Sequence, residues 1–535
     1  MSSVARNVRF VLTGIVLLLA IVFGPLRKSG TVDPGTPLPH ATITVDAREP
    51  GPRISPYLYS VAVEWIDNGN VILDPNTGLL RPEIVEPLKA LRIAAWRFPG
   101  GIFADHYHWR DGVGPPERRP AGRNPIDNTT HPHAFGTDEF IALCRATDAA
   151  ALITTNAGTG TQDEALDWQA HFAAKQFPVR YWEIGNEIYL AEDSDHPSIP
   201  GNDRRIFKTP DAYARLYVAW RAALHASDPA ALVGAIAGTA NTSAQNRDWL
   251  PTLLSTTAGE IDFIALHDAF APLILDPYDY GDRDNRRAAY ASMFARVQLT
   301  GEDIADVKSR WAAARAGAMT RVAITEHFPL FGVGGDKDQL LAILDQSRTL
   351  AAALYTASLF QEFMRREVWM ANYNIATGKW FGALLTDTEN GVIKTPTYHV
   401  YDLYRNHFGT EMIGVTVHGP QFETRQVGTV PARKAVPYLD VAGSKDGTGS
   451  VYLAVINRSG DQAIDADIRI AETVSVDATV MTLAGPSLDA INGPALGSTV
   501  QPNANIAIRT SSWNIRSGAN YRFPPASVTV FRWTT

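Results

Sequence analysis

Two glutamates stand at the ends of apolar runs in this 535-residue chain, and they are the side chains best placed to do chemistry. Glu187 closes the run at residues 179–184 after Gly185 and Asn186, and Glu326 directly follows the run at residues 322–325. A carboxylate at the end of a buried strand is costly unless it is hydrogen-bonded or used. Glycoside hydrolysis needs two such groups, one to protonate the leaving oxygen and one to attack the anomeric carbon or activate water. The pair predicts a glycosidase; the alternative is that either Glu is a salt-bridged structural residue.

Three further polar residues follow predicted strands and could complete such a site. Arg97 lies near the end of the second strand, where it would keep a nearby carboxylate ionised or form a structural ion pair. Asn186 precedes Glu187 and can present its amide to a substrate hydroxyl. His267 follows the sixth strand and could bind the sugar or tune the acid, but a purely structural histidine is an equal alternative.

Two His-x-His pairs, at residues 106–108 and 131–133, superficially resemble a metal site. A metal site needs three or more ligands in a defined geometry, and no carboxylate is placed to complete one here. We therefore predict no metal and no cofactor, with these histidines at the mouth of a cleft or in solvent.

The order of the elements predicts a (β/α)8 TIM barrel over residues 57–404. Eight strand-like runs alternate with helical ones, and parallel strands of a barrel place catalytic groups at their carboxyl ends. The runs are residues 57–65, 93–98, 151–156, 179–185, 232–237, 261–266, 322–325 and 368–371. A doubly wound sheet is the alternative, but no G-x-G-x-x-G loop follows the first strand.

The regions that flank the barrel have a different composition. Residues 405–535 contain short alternating apolar runs separated by Gly, Asn and Pro, which predict an all-β sandwich. Residues 41–56 begin with an alternating strand that we expect to join this sandwich, after a Pro- and Gly-rich linker at residues 29–40. The net charge of −8 and the absence of a basic run argue against a nucleic-acid partner.

The N-terminus predicts a transmembrane or signal segment at residues 1–28. Arg6 and Arg9 precede an apolar run at residues 10–26, and no small-residue cleavage site follows it. An uncleaved signal anchor is favoured over a cleaved signal peptide. The catalytic domain is then expected outside the cytoplasm, anchored to the membrane through this segment or secreted.

Several segments, taken in order, resemble the clan A glycoside hydrolases and, within that clan, the α-L-arabinofuranosidases of glycoside hydrolase family 51. The resemblance covers about residues 54–409 and extends into the following β-domain. It rests on residues 54–59 (ISPYLY) with Glu64, 96–101 (WRFPGG), 109–115 (WRDGVGP), 135–140 (FGTDEF), 156–158 (NAG), 182–187 (WEIGNE) and 394–398 (KTPTY).

The resemblance implies retention of configuration through a covalent glycosyl-enzyme. Glu187 would be the acid/base on barrel strand four, and Glu326 the nucleophile on strand seven. It also implies a subsite that binds an oligosaccharide or polysaccharide and is lined by Glu64, Arg97, Asn186 and His267. Homo-oligomers are common in the family, so a homo-oligomer is a further expectation.

The sequence departs from the family at positions that touch the sugar or orient the nucleophile. Ile102 stands where the family has Asn, Ala269 where it has Tyr, and His327-Phe328 where it has Trp-Asn. Two alternatives to an arabinofuranosidase therefore stay open. One is a clan A glycosidase for another sugar, such as a galactofuranoside, a xyloside or an internal glycan linkage. The other is a glycan-binding barrel without turnover.

Overall fold

A computed structural model describes residues 40–125, 129–189, 208–239, 247–332, 335–378, 382–471 and 475–534. The predicted N-terminal anchor at residues 1–28 lies outside these ranges. Within them, no helix has both the length and the apolar character needed to cross a membrane.

Eight parallel strands close into a barrel. They are β1 (Ser60–Ala62), β2 (Ala95–Phe98), β3 (Ala150–Thr155), β4 (Tyr181–Ile184), β5 (Leu232–Ile236), β6 (Phe263–Leu266), β7 (Val322–Gly332) and β8 (Met370–Tyr373). Each strand pairs with its neighbour in chain order. The pairing of Ile264 with Val322 joins β6 to β7, and the pairing of Asn372 with Ser60 closes the ring.

The predicted TIM barrel is confirmed, with two local differences. The predicted first strand is shorter, because Pro56–Tyr59 form a 3-10 turn and only Ser60–Ala62 pair in the sheet. In addition, β7 continues for six residues beyond Glu326. The extra residues pair with a further strand, Ala269–Ile274, from Ala269 opposite His327 to Ile274 opposite Gly332. Together these two segments form a wall that extends beyond the carboxyl end of the barrel.

Nine helices of eight or more residues lie in the described ranges. They are α1 (Pro82–Ala90), α2 (Thr137–Thr147), α3 (Gln162–Ala174), α4 (Pro210–Ser227), α5 (Trp249–Thr257), α6 (Arg283–Ala314), α7 (Lys337–Gln346), α8 (Leu350–Arg365) and α9 (Pro396–Asn406). Side chains along each barrel strand alternate between pointing outward to these helices and pointing into the barrel. Trp182 of β4 packs outward against Trp168 and Phe172 of α3, so its neighbour Glu183 points into the barrel.

The remaining strands form one nine-stranded, sandwich-like sheet. In order across the sheet they are Ile508–Ile515, Val476–Ala484, Ser527–Thr534, Ser450–Asn457, Leu439–Lys445, Glu411–His418, Ala41–Arg53, Ile464–Ile470 and Ala519–Phe523. Val480 and Ile468 lie on strands far apart in this order, yet they share one hydrophobic core. The sheet must therefore fold over on itself. Its interior strand Ala41–Arg53, paired on both sides, comes from the chain segment that precedes the barrel.

A buried ionic cluster joins the barrel to the sheet. Arg365 at the end of α8 donates to one carboxylate oxygen of Asp440 at 2.6 Å, and Arg458 donates to the other at 2.5 Å. Asp440 is 7% exposed. Because a buried carboxylate with two guanidinium partners accepts only a narrow set of geometries, this cluster fixes how the two domains pack.

Three short hairpins in the described ranges lie outside the barrel and the nine-stranded sheet: Ala121–Arg123 with Thr130–Pro132, Leu385–Thr388 with Gly391–Lys394, and Gln421–Thr424 with Arg433–Pro437. The last of these supports the wall beside the barrel mouth. The amide of Thr429 donates to the carbonyl oxygens of Pro272 and Leu273.

Candidate active site

Arg97 lies at the centre of a hydrogen-bonded cluster inside the carboxyl end of the barrel. Its Nε donates to Glu183 at 2.9 Å, its Nη1 to Glu326 at 3.0 Å and its Nη2 to the side-chain oxygen of Asn186 at 2.7 Å. The guanidinium is fully buried. One cation from β2 therefore holds side chains of β4 and β7 at fixed positions, as its rigid planar fork allows.

Glu326 is held at both carboxylate oxygens. Oε2 accepts the Arg97 bond, and Oε1 accepts a hydrogen bond of 3.0 Å from the side-chain amide of Asn374, just beyond β8. The strand-end Gly101 approaches so closely that an added Cβ would lie 2.9 Å from Oε2. Burial raises the pKa of Glu326; the charge of Glu187 adds to this effect, while His267 and Arg97 oppose it. A fixed carboxylate of this kind suits a nucleophile.

Glu187 lies beyond the end of β4 and bonds to His267. The distance from His267 Nδ1 to Glu187 Oε1 is 2.9 Å, and that from Nε2 to the hydroxyl oxygen of Thr325 is 3.0 Å. Burial alone would lower the pKa of His267, but the hydrogen bond and charge of Glu187 outweigh it and raise the pKa. The Glu187 side chain is 22% exposed, whereas His267 is buried. Glu187 is therefore oriented by buried His267 on one side and exposed to solvent on the other, as a proton donor to a substrate must be.

Glu64 follows β1 and is held by Asn70. The Glu64 amide donates to the side-chain oxygen of Asn70 at 2.6 Å, and the Asn70 amide group donates back to the carboxylate at 3.1 Å. Gly100, at φ +110°, leaves room for this side chain, because a Cβ there would lie 2.4 Å from Glu64 Cγ. Burial raises the pKa of Glu64 to about 7; the Asn70 bond counteracts this, and the charge of Glu326 adds to it.

All six predicted site residues lie at the carboxyl end of the barrel, but sequence reasoning missed several of their partners. Asn374 was missed because the predicted eighth strand, residues 368–371, ends two residues before the observed one, Met370–Tyr373. Glu183 was hidden inside an apolar run. Asp105 lies in the loop after β2, where it is 6% exposed and accepts a 3.0 Å hydrogen bond from the backbone amide of Asn186.

Asp105 leads to a prediction about pH and stability. Burial raises its pKa to about 7, although the backbone amides of Asn186 and Ala157 oppose the shift. Between about pH 4 and 7 the folded protein keeps a proton that the unfolded chain has lost, so this residue makes stability fall as pH rises. In Asp105→Asn, the side chain is neutral at every pH and keeps an oxygen that can accept from the backbone amide of Asn186. We expect the free energy of unfolding of the variant, relative to that of the wild type, to rise by up to about 4 kcal/mol between pH 4 and pH 8.

Urea unfolding of both proteins across that pH range measures the difference. Asp148→Asn makes the same chemical change at an exposed position and is expected to follow the wild type. If the free energy of unfolding changed with pH in the same way for the wild type and Asp105→Asn, the prediction would be contradicted.

The positions that depart from the resembled family are mostly apolar. The Phe270 and Phe328 rings lie 5.2 Å apart, edge to face, on the wall beyond the barrel. Ile102 packs against the hydrophobic core. His327 points away from the barrel interior and contacts the rings of Phe363 and Tyr373, each at 5.5 Å. Burial lowers the pKa of His327 to about 3, so it is a neutral packing residue.

Three histidines of the two His-x-His pairs, His108, His131 and His133, have separate side-chain partners. His108 lies 3.0 Å from Glu164, whereas His133 stacks on Trp65 at a ring distance of 4.3 Å. His131 lies 3.3 Å from Asp67. Within the described ranges, no group of three or more His, Cys, Asp or Glu side chains could hold a metal ion.

The chain is similar in sequence to known α-L-arabinofuranosidases. Two family models match the chain: the α-L-arabinofuranosidase 1 domain at residues 87–176 and the α-L-arabinofuranosidase C-terminal domain at residues 332–527. A probable α-L-arabinofuranosidase C of Aspergillus terreus is 26% identical over 90% of this chain and 95% of its own. An intracellular exo-α-L-arabinofuranosidase of Bacteroides ovatus is 24% identical over 86% of this chain and 90% of its own.

Solved structures share the same fold. The α-L-arabinofuranosidase of Thermotoga maritima, determined as an arabinose complex, has a TM-score of 0.75 at 24% identity over 92% of this chain and all of its own. The family 51 arabinofuranosidase of Xanthomonas axonopodis pv. citri has the same TM-score and coverage at 20% identity.

Together, the barrel with carboxylates at its strand ends and the curated relatives define the class of this protein as a glycoside hydrolase. Within that class the chain is a clan A enzyme that resembles the family 51 α-L-arabinofuranosidases.

Proposed function

We propose that the protein hydrolyses terminal α-L-arabinofuranosyl or closely related linkages in an oligosaccharide or polysaccharide, with retention of configuration. The observation that carries the proposal is the Arg97 cluster, which holds Glu326 within the same strand-end site as the His267–Glu187 pair. Two carboxyl groups at one barrel mouth, one fixed by a cation and one bonded to a histidine, suit a nucleophile and an acid/base.

In the first step, a carboxylate oxygen of Glu326 attacks the anomeric carbon while the Glu187 carboxylic acid gives its proton to the glycosidic oxygen. The bond between the anomeric carbon and that oxygen breaks, the aglycone leaves as an alcohol, and a glycosyl ester forms on Glu326. In the second step, Glu187 removes a proton from water, and the oxygen of that water displaces Glu326 from the opposite face. Two inversions at one carbon give net retention.

Other residues of the cluster would support these steps. Arg97 and Asn374 aim the Glu326 carboxylate, because each donates to one of its oxygens, and the charge of Arg97 opposes the effect of burial on its pKa. The Asn186 amide group and the Glu64 carboxylate offer a donor and an acceptor to sugar hydroxyls. Hydrogen bonds of this kind to the 2-OH strengthen in the transition state of such reactions and contribute several kcal/mol.

A panel of aryl glycosides tests the substrate class: α-L-arabinofuranoside, β-D-galactofuranoside, β-D-xyloside and β-D-glucoside. Activity on the arabinofuranoside, with the first-formed sugar in the α configuration by NMR, is the expected result. Inversion of the product anomer would overturn the double displacement.

Glu187→Ala gives a prediction that depends on the leaving group. With a 2,4-dinitrophenyl aglycone, which needs no protonation, we expect kcat/KM to stay near the wild-type value. With a sugar or alkyl aglycone it should fall by about 10²- to 10⁴-fold, the usual worth of a general acid. Added azide should restore turnover and give a glycosyl azide of retained configuration, because azide attacks without a base. An equal loss for both aglycones would contradict the acid/base role.

A different sugar is the second candidate, and the apolar wall favours it. Ile102, Phe270 and Phe328 carry apolar side chains at or beside positions where the resembled family contacts its furanose. A bifunctional glucanase–xylanase, CelM2, shares the fold with a TM-score of 0.60 at 16% identity. Preference for the β-D-xyloside or β-D-glucoside in the panel would support this candidate. Oligosaccharide binding with no product from any glycan would instead indicate a binding barrel.

We also propose that the catalytic domain lies outside the cytoplasm, held at the membrane by residues 1–28, which lie outside the described ranges. The support is the apolar run at residues 10–26 with arginines before it. An alkaline phosphatase fusion after residue 40 should be active and sediment with membranes. We further propose a homo-oligomer. Light scattering of the soluble domain measures its molar mass, and the mass of a monomer would contradict this proposal.

A further inference from the structure

Glu183 is a buried carboxylate for which the proposed two-step reaction has no use. It is fully shielded from solvent inside the barrel. Its Oε2 accepts from Arg97 Nε at 2.9 Å and from the Thr154 hydroxyl at 2.7 Å. A carboxylate in such a place is costly unless it is paired, and its partner here is the same guanidinium that binds Glu326.

The two carboxylates respond differently to the shared cation. Burial opposes ionisation of Glu183, but Arg97 and His267 outweigh it, so its pKa lies below the usual value. Burial raises the pKa of Glu326 despite the same two cations. The geometry shows the sharing directly: Nε of the buried guanidinium donates to Glu183, and Nη1 donates to Glu326.

Resting on the function proposed above, we propose that Glu183 is a positioning residue that divides the charge of Arg97 between two carboxylates. Arg97 can then orient Glu326 without neutralising it. A nucleophile bound to an undivided cation would be held more tightly in its ionised ground state and would attack less readily.

Removing the Glu183 charge should therefore have a definite sign. In Glu183→Gln, the side-chain oxygen still accepts from Arg97 Nε, but the whole guanidinium charge acts on Glu326. The titratable and charged groups around this corner remain in place; they are Arg97 on β2, Asp105 in the next loop, Glu187 beyond β4, His267 beyond β6, Glu326 on β7 and Glu64 beyond β1.

The test is the pH profile of kcat/KM on an activated aryl glycoside, whose acid limb reports ionisation of the nucleophile in the free enzyme. We expect the limb of Glu183→Gln to move to lower pH by about one unit, the size of effect that a nearby charge has on a carboxyl. The plateau should fall because the attack is weaker. Glu183→Asp keeps the charge and should keep the wild-type limb.

Several outcomes separate this proposal from its alternatives. An unmoved limb in a folded Glu183→Gln enzyme would overturn it and leave Glu183 a structural ion-pair residue. If the Gln variant does not fold, Glu183→Ala removes the charge without burying an amide and gives the same readout. Failure of the proposed function itself is recognised with a different variant, Glu326→Ala. Full activity of that variant would exclude Glu326 as the nucleophile, whatever the pH profile of Glu183→Gln shows.

Discussion

Glu326→Ala is expected to lower kcat/KM on every glycoside that the protein hydrolyses by at least about 10⁴-fold. The variant lacks the atom that forms the bond to the anomeric carbon, and no other described carboxylate receives both an Arg97 and an Asn374 hydrogen bond. Because the loss concerns the attacking group, an activated leaving group should not rescue it. This contrasts with Glu187→Ala, for which the leaving group decides the effect.

Two measurements make the Glu326 test specific. A slowly turned-over 2-deoxy-2-fluoro glycoside with a good leaving group should add one glycosyl mass to the wild type and nothing to Glu326→Ala. Glu423→Ala, on an exposed strand of the Gln421–Pro437 hairpin, is the matched control and should keep wild-type kinetics. Substantial turnover by Glu326→Ala would exclude this residue as the nucleophile.

Much of the barrel could be predicted from the sequence because its strands are buried on both faces. Such strands appear as short apolar runs, as in residues 179–184 and 322–325, and the polar residue that ends each run marks the catalytic face. Glu187, Glu326 and Arg97 were found in this way. The boundary of β8 was less clear, since its residues Met370–Tyr373 contain a polar Asn372, and the shift of two residues hid Asn374.

Other features depend on contacts between distant segments, which no local pattern records. Glu183 is surrounded by apolar neighbours in sequence and meets Arg97 only because β2 and β4, which both pair with β3, place these two side chains together inside the barrel. The wall strand Ala269–Ile274 contains Pro272, which normally argues against a strand. It forms beside β7, where the Gln421–Pro437 hairpin supports it by bonding the Pro272 and Leu273 carbonyls.

Arg97→Met is the substitution expected to cost most in stability. It removes the cationic partner of Glu183, whose side chain is fully buried. Breaking a buried pair by deleting one member costs about 3–5 kcal/mol, since an uncompensated charge remains inside. Activity should fall as well, because Glu326 and Asn186 lose the donor that orients them. Arg97→Lys should recover little, because one ammonium group has no fork to reach three acceptors.

A double variant separates the two consequences. Arg97→Met with Glu183→Leu removes both members of the buried pair, so the urea midpoint should return much of the way to the wild-type value. Catalysis should not return, because Glu326 still lacks its donor. Arg110→Met, which breaks the exposed Arg110–Asp167 pair, should change the free energy of unfolding by less than about 1 kcal/mol. Equal stability losses for Arg97→Met and Arg110→Met would contradict a central role for the buried cluster. Activity that recovered together with stability in the double variant would show that Arg97 acts on the fold and not on the nucleophile.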